Sequence, residues 1–239
     1  MRSSLSLPLS EYGRSVLGAP LHFIGCSGTC RLFVVAGIHG EEPETTFLLS
    51  RSLRAFDRPF EHVAFVLCAN PDGMTLGTRC NADGVDLNRN FPTSNWKSEA
   101  VYARSVLEAP RDTAHSPGKA PGSEPETQAL LRLIGKLAPE AILSMHAPMA
   151  CIDAPEKSPL VDSLCEAFRL PWQPDIGYPT PGSLGTWCRE APKEKAPECI
   201  TLELPRMSLE ALFERYAASF VDWLAMADKS FTCPRSPLR

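Results

Sequence analysis

The chain has 239 residues with 24 Lys+Arg against 28 Asp+Glu, a formal net charge of −4, and that balance speaks against a nucleic-acid binder. Hydrophobic residues make up 44% and charged residues 22%, which excludes intrinsic disorder and fits one domain spanning 1–239, since a single core can still grow at this length. Apolar runs are strand-length rather than membrane-length, residues 1–8 lack a secretory apolar stretch, and nine scattered cysteines fit reduced thiols, so no membrane association and a cytoplasmic location are expected.

Leu32 to Ile38 is a continuous β-prone apolar run, the pattern of a strand buried on both faces, and it sets His39 just past a strand's carboxyl end. Pro43 fits the first turn of a helix, with Phe47, Leu48, Leu49, Leu53 and Phe56 as its core-facing stripe. His62 to Cys68 reads as a second buried strand running into the turn signal Asn70-Pro71-Asp72-Gly73. From there to Trp96 the chain is rich in Asn, Asp, Gly and Arg without a period, which predicts a long functional loop. Residues 110–122 read as a surface excursion. Ser123-Glu-Pro-Glu126 predicts a helix capped by Ser123, with Ala129, Leu130, Leu133 and Leu137 following.

Ala141 to Met145 is a short strand ending at His146, and Leu160 to Phe168 a helix. Glu198 to Leu204 alternates as a strand with Glu203 near its end. Leu209 to Met226 is a long helix burying Leu212, Tyr216, Phe220, Trp223 and Leu224. Alternating strands and helices give an α/β class, three layers α/β/α around a central mainly parallel or mixed sheet. The tail from about 231 is expected to be flexible.

In such sheets ligands bind beyond the carboxyl ends of the strands. His39, the loop Asn70 to Asn90, His146 and Glu203 share that placement. His39-Gly-Glu-Glu42 offers a His and a Glu three residues apart across a strand-to-helix turn, and His146 on another strand end could supply a third ligand. Two His and one Glu, with a position left for water, form a catalytic rather than structural zinc arrangement. Glu203 would then act as general base. Taken alone, H-x-x-E is a pattern common by chance, Glu41 is the neighbouring alternative ligand, and Arg79, Asn88 and Arg89 read as a solvated loop balanced by Asp83 and Asp86. Cys26-x-x-x-Cys30 lacks a second ligand pair and is assigned no metal.

Asp86-Leu-Asn-Arg-Asn-Phe-Pro92, with Asn70-Pro-Asp-Gly73 and Arg79 before it, resembles the active-site loop of the zinc carboxypeptidase family. Segments 12–21, 81–92, 122–130, 146–153 and 177–188 extend the resemblance, toward the family's murein peptide amidases, over nearly the whole chain. It implies a zinc-carboxypeptidase-like fold holding one zinc ion on His39, Glu42 and His146, with Glu203 as general base and acid. Arg79 would hold the oxyanion, Asn88 and Arg89 would clamp a terminal carboxylate, and Tyr178 would lie over the substrate, in a segment one residue longer than in the digestive members. The implied reaction is hydrolysis of the γ-D-glutamyl–meso-diaminopimelate bond of murein tripeptide in cytoplasmic peptidoglycan recycling, with a small peptide as the partner and no nucleic acid or membrane.

Three alternatives stay open: an N-acyl amino acid hydrolase of the aspartoacylase or succinylglutamate desuccinylase type, disfavoured by the short stretch after Glu203; a broad metallocarboxypeptidase; and a catalytically silent binding protein. The pocket for the diaminopimelate side chain is expected around Leu184, Gly185 and Thr186, whose chemistry names no reader. A His₂Glu site also accepts several divalent ions, and the oligomeric state is not legible.

Overall fold

Strands with apolar residues on both faces need cover on both sides, and a six-stranded mixed sheet with helices on each face provides it. The computed structural model describes residues 5–105, 111–192 and 196–230. In chain order the elements are β1 Ser10–Arg14, β2 Pro20–Phe23, β3 Leu32–Val35, α1 Pro43–Leu53, β4 Val63–Val66, α2 Pro71–Leu76, a 3-10 turn Leu87–Arg89, β5 Val101–Ser105 and β6 Arg111–His115. They continue with α3 Pro125–Leu137, β7 Ala141–His146, β8 Met149–Asp153, α4 Pro159–Phe168, β9 Trp172–Gln173, α5 Leu184–Glu190, β10 Glu198–Pro205 and α6 Leu209–Ser230. The sheet order is β4-β3-β7-β10-β8-β9, parallel except for the antiparallel β10-β8 pair. β1-β2 and β5-β6 form separate antiparallel pairs.

On one face, Leu32, Val34, Val63, Phe65, Leu143, Met145, Ile200 and Leu202 pack against α1, α4 and the inward stripe Leu212, Tyr216, Phe220, Trp223 and Leu224 of α6. Burial of each such side chain stabilises the fold by roughly 1.5–3 kcal/mol. On the other face, Phe33, Val35, Ala64, Val66 and Ile142 meet Leu130, Leu133 and Ile134 of α3 and Leu184 and Cys188 of α5. This second apolar face stops partway across the sheet. With a side-chain period of two, the residues that continue it are Ser144 and His146 on β7, Thr201 and Glu203 on β10, and Asp153 on β8. All five line a cavity of about 860 Å³.

Two local expectations are corrected and a third is refined. The Asn70-Pro-Asp-Gly73 signal is a short helix, α2: Asn70 Oδ1 accepts from Gly73 N at 2.9 Å and Gly77 closes it at φ 67, because Asn followed by Pro suits a helix start as well as a turn. The N-cap of α3 is Glu124, without a side-chain cap bond. Ser123 Oγ donates to Glu124 Oε1 at 2.6 Å, while Glu126 accepts from Val16 N at 2.9 Å and Asn81 Nδ2 at 3.1 Å. Long-range partners thus displace the capping box. Residues 111–115 of the expected surface excursion are strand β6. Pro110 and the tail from 231 lie outside the described residues. Among the described residues no helix is long and apolar enough to cross a membrane.

Candidate active site

The turn after β3 carries His39 into the cavity because two glycines allow backbones to touch. A Cβ on Gly40 would lie 2.0 Å from the Gly73 carbonyl carbon, and one on Gly73 would lie 2.4 Å from the Cys80 carbonyl oxygen. The His39 turn, the start of α2 and the chain at Arg79 and Cys80 are therefore stacked at distances only glycine permits. Glu42 is the N-cap of α1, outside the helix. His39 and Glu42 meet across the strand-to-helix turn, which is closed by Glu42 N donating to His39 O at 3.3 Å. The neighbouring Glu41 instead sits 3.7 Å from Arg79 Nη1.

His39 Nδ1 lies 2.7 Å from Glu42 Oε1, His146 Nδ1 lies 3.0 Å from Glu42 Oε2, and the two Nδ1 atoms are 3.1 Å apart. The far nitrogens are both engaged: His39 Nε2 is 3.2 Å from Asp86 Oδ1 and His146 Nε2 is 3.0 Å from Ser144 Oγ. Protons on the two Nε2 atoms leave both Nδ1 lone pairs and one carboxylate converging on a single point. All three residues are buried, with ligating atoms within 4.8 Å of one another, so the donor set and its outer hydrogen bonds fit a zinc ion. Burial pushes the Glu42 carboxyl up, but the His39 and His146 rings outweigh it and hold it far below the ordinary range.

Asp86 organises the rest. Its Oδ2 accepts from Arg79 Nε at 2.8 Å, and its Oδ1 also caps the 3-10 turn by accepting from Asn88 N at 2.9 Å. One buried carboxylate thus sets a histidine ring, a cation, and the turn that bears Asn88 and Arg89. Burial raises its pKa, yet Arg79 and then His39 reverse this and keep it well below the ordinary value. From sequence Asp86 stood only as the first residue of the motif and, with the loop taken alone, as a charge-balancing partner; its position two residues before Asn88 was the signal for a cap. Ser144, also missed, was legible as two residues before His146 on one strand face.

Arg89 is 4% exposed, and its Nη1 donates to Asn88 O at 2.7 Å. Among the described residues no carboxylate lies within 4.0 Å of its guanidinium. Asn88 Oδ1 accepts from Leu184 N at 3.0 Å, which leaves its Nδ2 as a donor for a ligand. Gly182, at φ 70, lets the chain before α5 approach: a Cβ there would be 2.2 Å from Arg89 O.

Glu203 stands at the carboxyl end of β10 in register with His146, and its Oε2 accepts from Met149 N at 3.3 Å. Burial raises its pKa, with Glu42 adding to the shift and His146 opposing it. Tyr178, 48% exposed, lies on the segment before α5. His39, Glu42, Arg79, Asn88, Arg89, His146, Tyr178 and Glu203, the full set expected from the sequence, line the one cavity described above.

The zinc carboxypeptidase family model matches residues 7–155. Murein peptide amidase A of Escherichia coli K12 is 42% identical over 94% of this chain and 92% of its own length, and that of Vibrio campbellii 38% identical over 92% and 88%. The crystal structure of murein-tripeptide amidase from Escherichia coli O157 superposes with a TM-score of 0.84 at 41% identity, covering 93% of this chain and 94% of that one. Bovine thrombin-activatable fibrinolysis inhibitor, at 17% identity and a TM-score of 0.72 over 95% and 90%, has the same fold. Site geometry, family match and full-length relatives agree, and the chain belongs to the zinc carboxypeptidase family.

Proposed function

We propose that this chain is a zinc-dependent amidase that cleaves the γ-D-glutamyl–meso-diaminopimelate bond of murein tripeptide, in cytoplasmic peptidoglycan recycling. The observation that carries the reading is Arg89: a buried guanidinium with no carboxylate within 4.0 Å among the described residues, on the wall of the cavity that also holds His39, Glu42, His146 and Glu203. A buried charge of this kind calls for a partner, and a substrate with a free terminal carboxylate supplies one. The similarity to murein peptide amidase A over almost the whole chain supports the choice of peptide.

In this reading Arg89 and the Asn88 amide grip the carboxylate of the residue that leaves, Arg89 by two parallel hydrogen bonds. His39, Glu42 and His146 would hold zinc, which supplies Lewis acidity, acidifying water and polarising a carbonyl. Glu203 takes a proton from the attacking water and delivers it to the departing amine as the carbon–nitrogen bond breaks. Its raised pKa suits both halves of that transfer. Arg79, held at Nε by Asp86 at 2.8 Å and with Nη1 3.7 Å from both the Glu41 and Glu42 carboxylates, offers its guanidinium to the negative charge that develops on the carbonyl oxygen. Tyr178 covers the bound peptide.

Mass spectrometry of the products from L-Ala-γ-D-Glu-meso-diaminopimelate, an α-linked control peptide and an N-acetylated amino acid tests the reading. Free diaminopimelate from the first alone is expected. Equal cleavage of the α-linked peptide would make this a broad carboxypeptidase, cleavage of only the acylated amino acid would make it an acylase, and no cleavage with zinc bound would leave a binding protein.

A further inference from the structure

We infer that Arg189 and Asp153 form a reader for a side chain that itself ends in an amino-acid head, carrying one carboxylate and one ammonium. The inference rests on the amidase reading of the same cavity and names what selects the leaving residue.

The sheet register builds the floor. His146 pairs with Glu203 in the reactive row, and two residues earlier Ser144 pairs with Thr201, which in turn faces Asp153 across the antiparallel β10-β8 pair. At about 3.3 Å per residue this second row lies roughly 6.6 Å below the first. A leaving residue fixed by its carboxylate at Asn88 and Arg89, and by its nitrogen at the reactive row, has this floor left for its side chain.

The wall beside that floor is α5, tied to the clamp by the Leu184 N to Asn88 Oδ1 bond. Arg189 in its last turn donates from Nη2 to Thr186 Oγ1 at 3.0 Å, and a Cβ on Gly185 would lie 3.7 Å from Arg189 Nη1, so the glycine keeps that side of the guanidinium open. Arg189, Asp153, Thr186 and Thr201 all line the cavity. Burial pushes the Asp153 carboxyl up, Arg189 is the largest influence opposing it, and Asp175 adds negative charge on the same side. Arg189 and Asp153 therefore lie within each other's field, yet no carboxylate comes within 4.0 Å of Arg189 among the described residues.

Two opposite charges that face one cavity without closing on each other match a zwitterion. Its carboxylate goes to the Arg189 fork and its ammonium to Asp153. The distal end of diaminopimelate is such a group. A lysine side chain would satisfy Asp153 and leave Arg189 unmatched, and a side chain with a carboxylate but no amine would do the reverse.

The test is kcat/KM for three tripeptides, L-Ala-γ-D-Glu-X, where X is meso-diaminopimelate, L-lysine or 2-aminopimelate. The wild-type enzyme should prefer diaminopimelate over each of the others by on the order of 100-fold. Arg189→Gln should bring the diaminopimelate-to-lysine ratio to within about 3-fold, and Asp153→Asn should do the same for the diaminopimelate-to-aminopimelate ratio. The ratios discriminate because a merely structural role lowers all three rates together. If Asp153→Asn does not fold, the wild-type series and Arg189→Gln still decide. Equal wild-type rates on all three peptides, or ratios unmoved in Arg189→Gln, would overturn the reader and leave the amidase reading standing. Cleavage of none of the three would overturn both.

Discussion

The Asp86 carboxylate joins the His39 ring to the Arg79 guanidinium, Oδ1 at 3.2 Å from Nε2 and Oδ2 at 2.8 Å from Nε, at a position 1% exposed. Through that link the orientations of the His39 ring and of the Arg79 guanidinium, proposed to face the carbonyl, depend on one side chain. Asp86→Asn keeps the shape but removes the charge and one acceptor. Zinc affinity should fall about 10–100-fold, with a further loss in kcat from a loosened Arg79. A competition titration against a chromophoric chelator reads the first effect, and an unchanged affinity would refute the link.

Glu203→Gln removes the proposed proton carrier and leaves His39, Glu42 and His146 in place. Zinc content should stay at one per chain while kcat drops roughly 10²–10⁴-fold. Metal analysis beside single-turnover rates checks this, and full turnover with zinc bound would sink the assigned role.

Arg89→Lys replaces a planar fork by a point charge. kcat/KM on murein tripeptide should fall by about 10–100-fold, the loss of one charge-assisted hydrogen bond of ~1.5–3 kcal/mol. A tripeptide with its terminal carboxylate amidated should be poor for the wild type and suffer little additional loss in the variant. Independent losses in that double comparison would show that Arg89 holds something else.

Much of this site was legible because buried parallel strands announce where they end. Leu32 to Ile38 stops at His39, Ala141 to Met145 at His146, and Glu198 to Leu204 runs through Glu203, so three chemistry-bearing residues were placed at one sheet edge by hydrophobic pattern alone. The roles of Arg79, Asn88 and Arg89 came from family resemblance, since a polar loop has no period to read. α2 was misread because Asn-Pro serves two local structures, and the capping box because Glu126 finds partners more than forty residues away in Asn81 and Val16. Asp153 was invisible for a different reason: its place in the cavity exists only once β8 pairs with β10, a tertiary fact that no local pattern carries.

Gly40→Ala should be costly far beyond its size. The added Cβ would meet the Gly73 backbone at 2.0 Å, backbone cannot swing aside as a side-chain tip can, and overpacking of this kind costs typically ~1–3 kcal/mol or more. Urea denaturation should give a lower midpoint with an unchanged slope, together with weaker zinc binding from the displaced His39. A variant as stable as the wild type would mean that α2 can move.

Chelation should lower the melting temperature. A ligand present at 100 times its Kd stabilises the folded state by about 2.7 kcal/mol, and that increment disappears when the metal is stripped. His146→Ala should melt at nearly the same temperature with and without chelator. A wild-type melting curve indifferent to chelation would argue that no ion is held there.

The alternation along β10 has a consequence for how errors in folding are exposed. Leu202 and Leu204 point into one core while Thr201 and Glu203 point into the cavity. A slip of one residue would therefore drive the carboxylate of Glu203 into oil and bring leucine to the water side. A strand slipped by one residue thus has no well-packed form in which to accumulate. The same pleat that sets Glu203 at the cavity edge disfavours that slip, so the packing of Leu202 and Leu204 and the placement of Glu203 are fixed together.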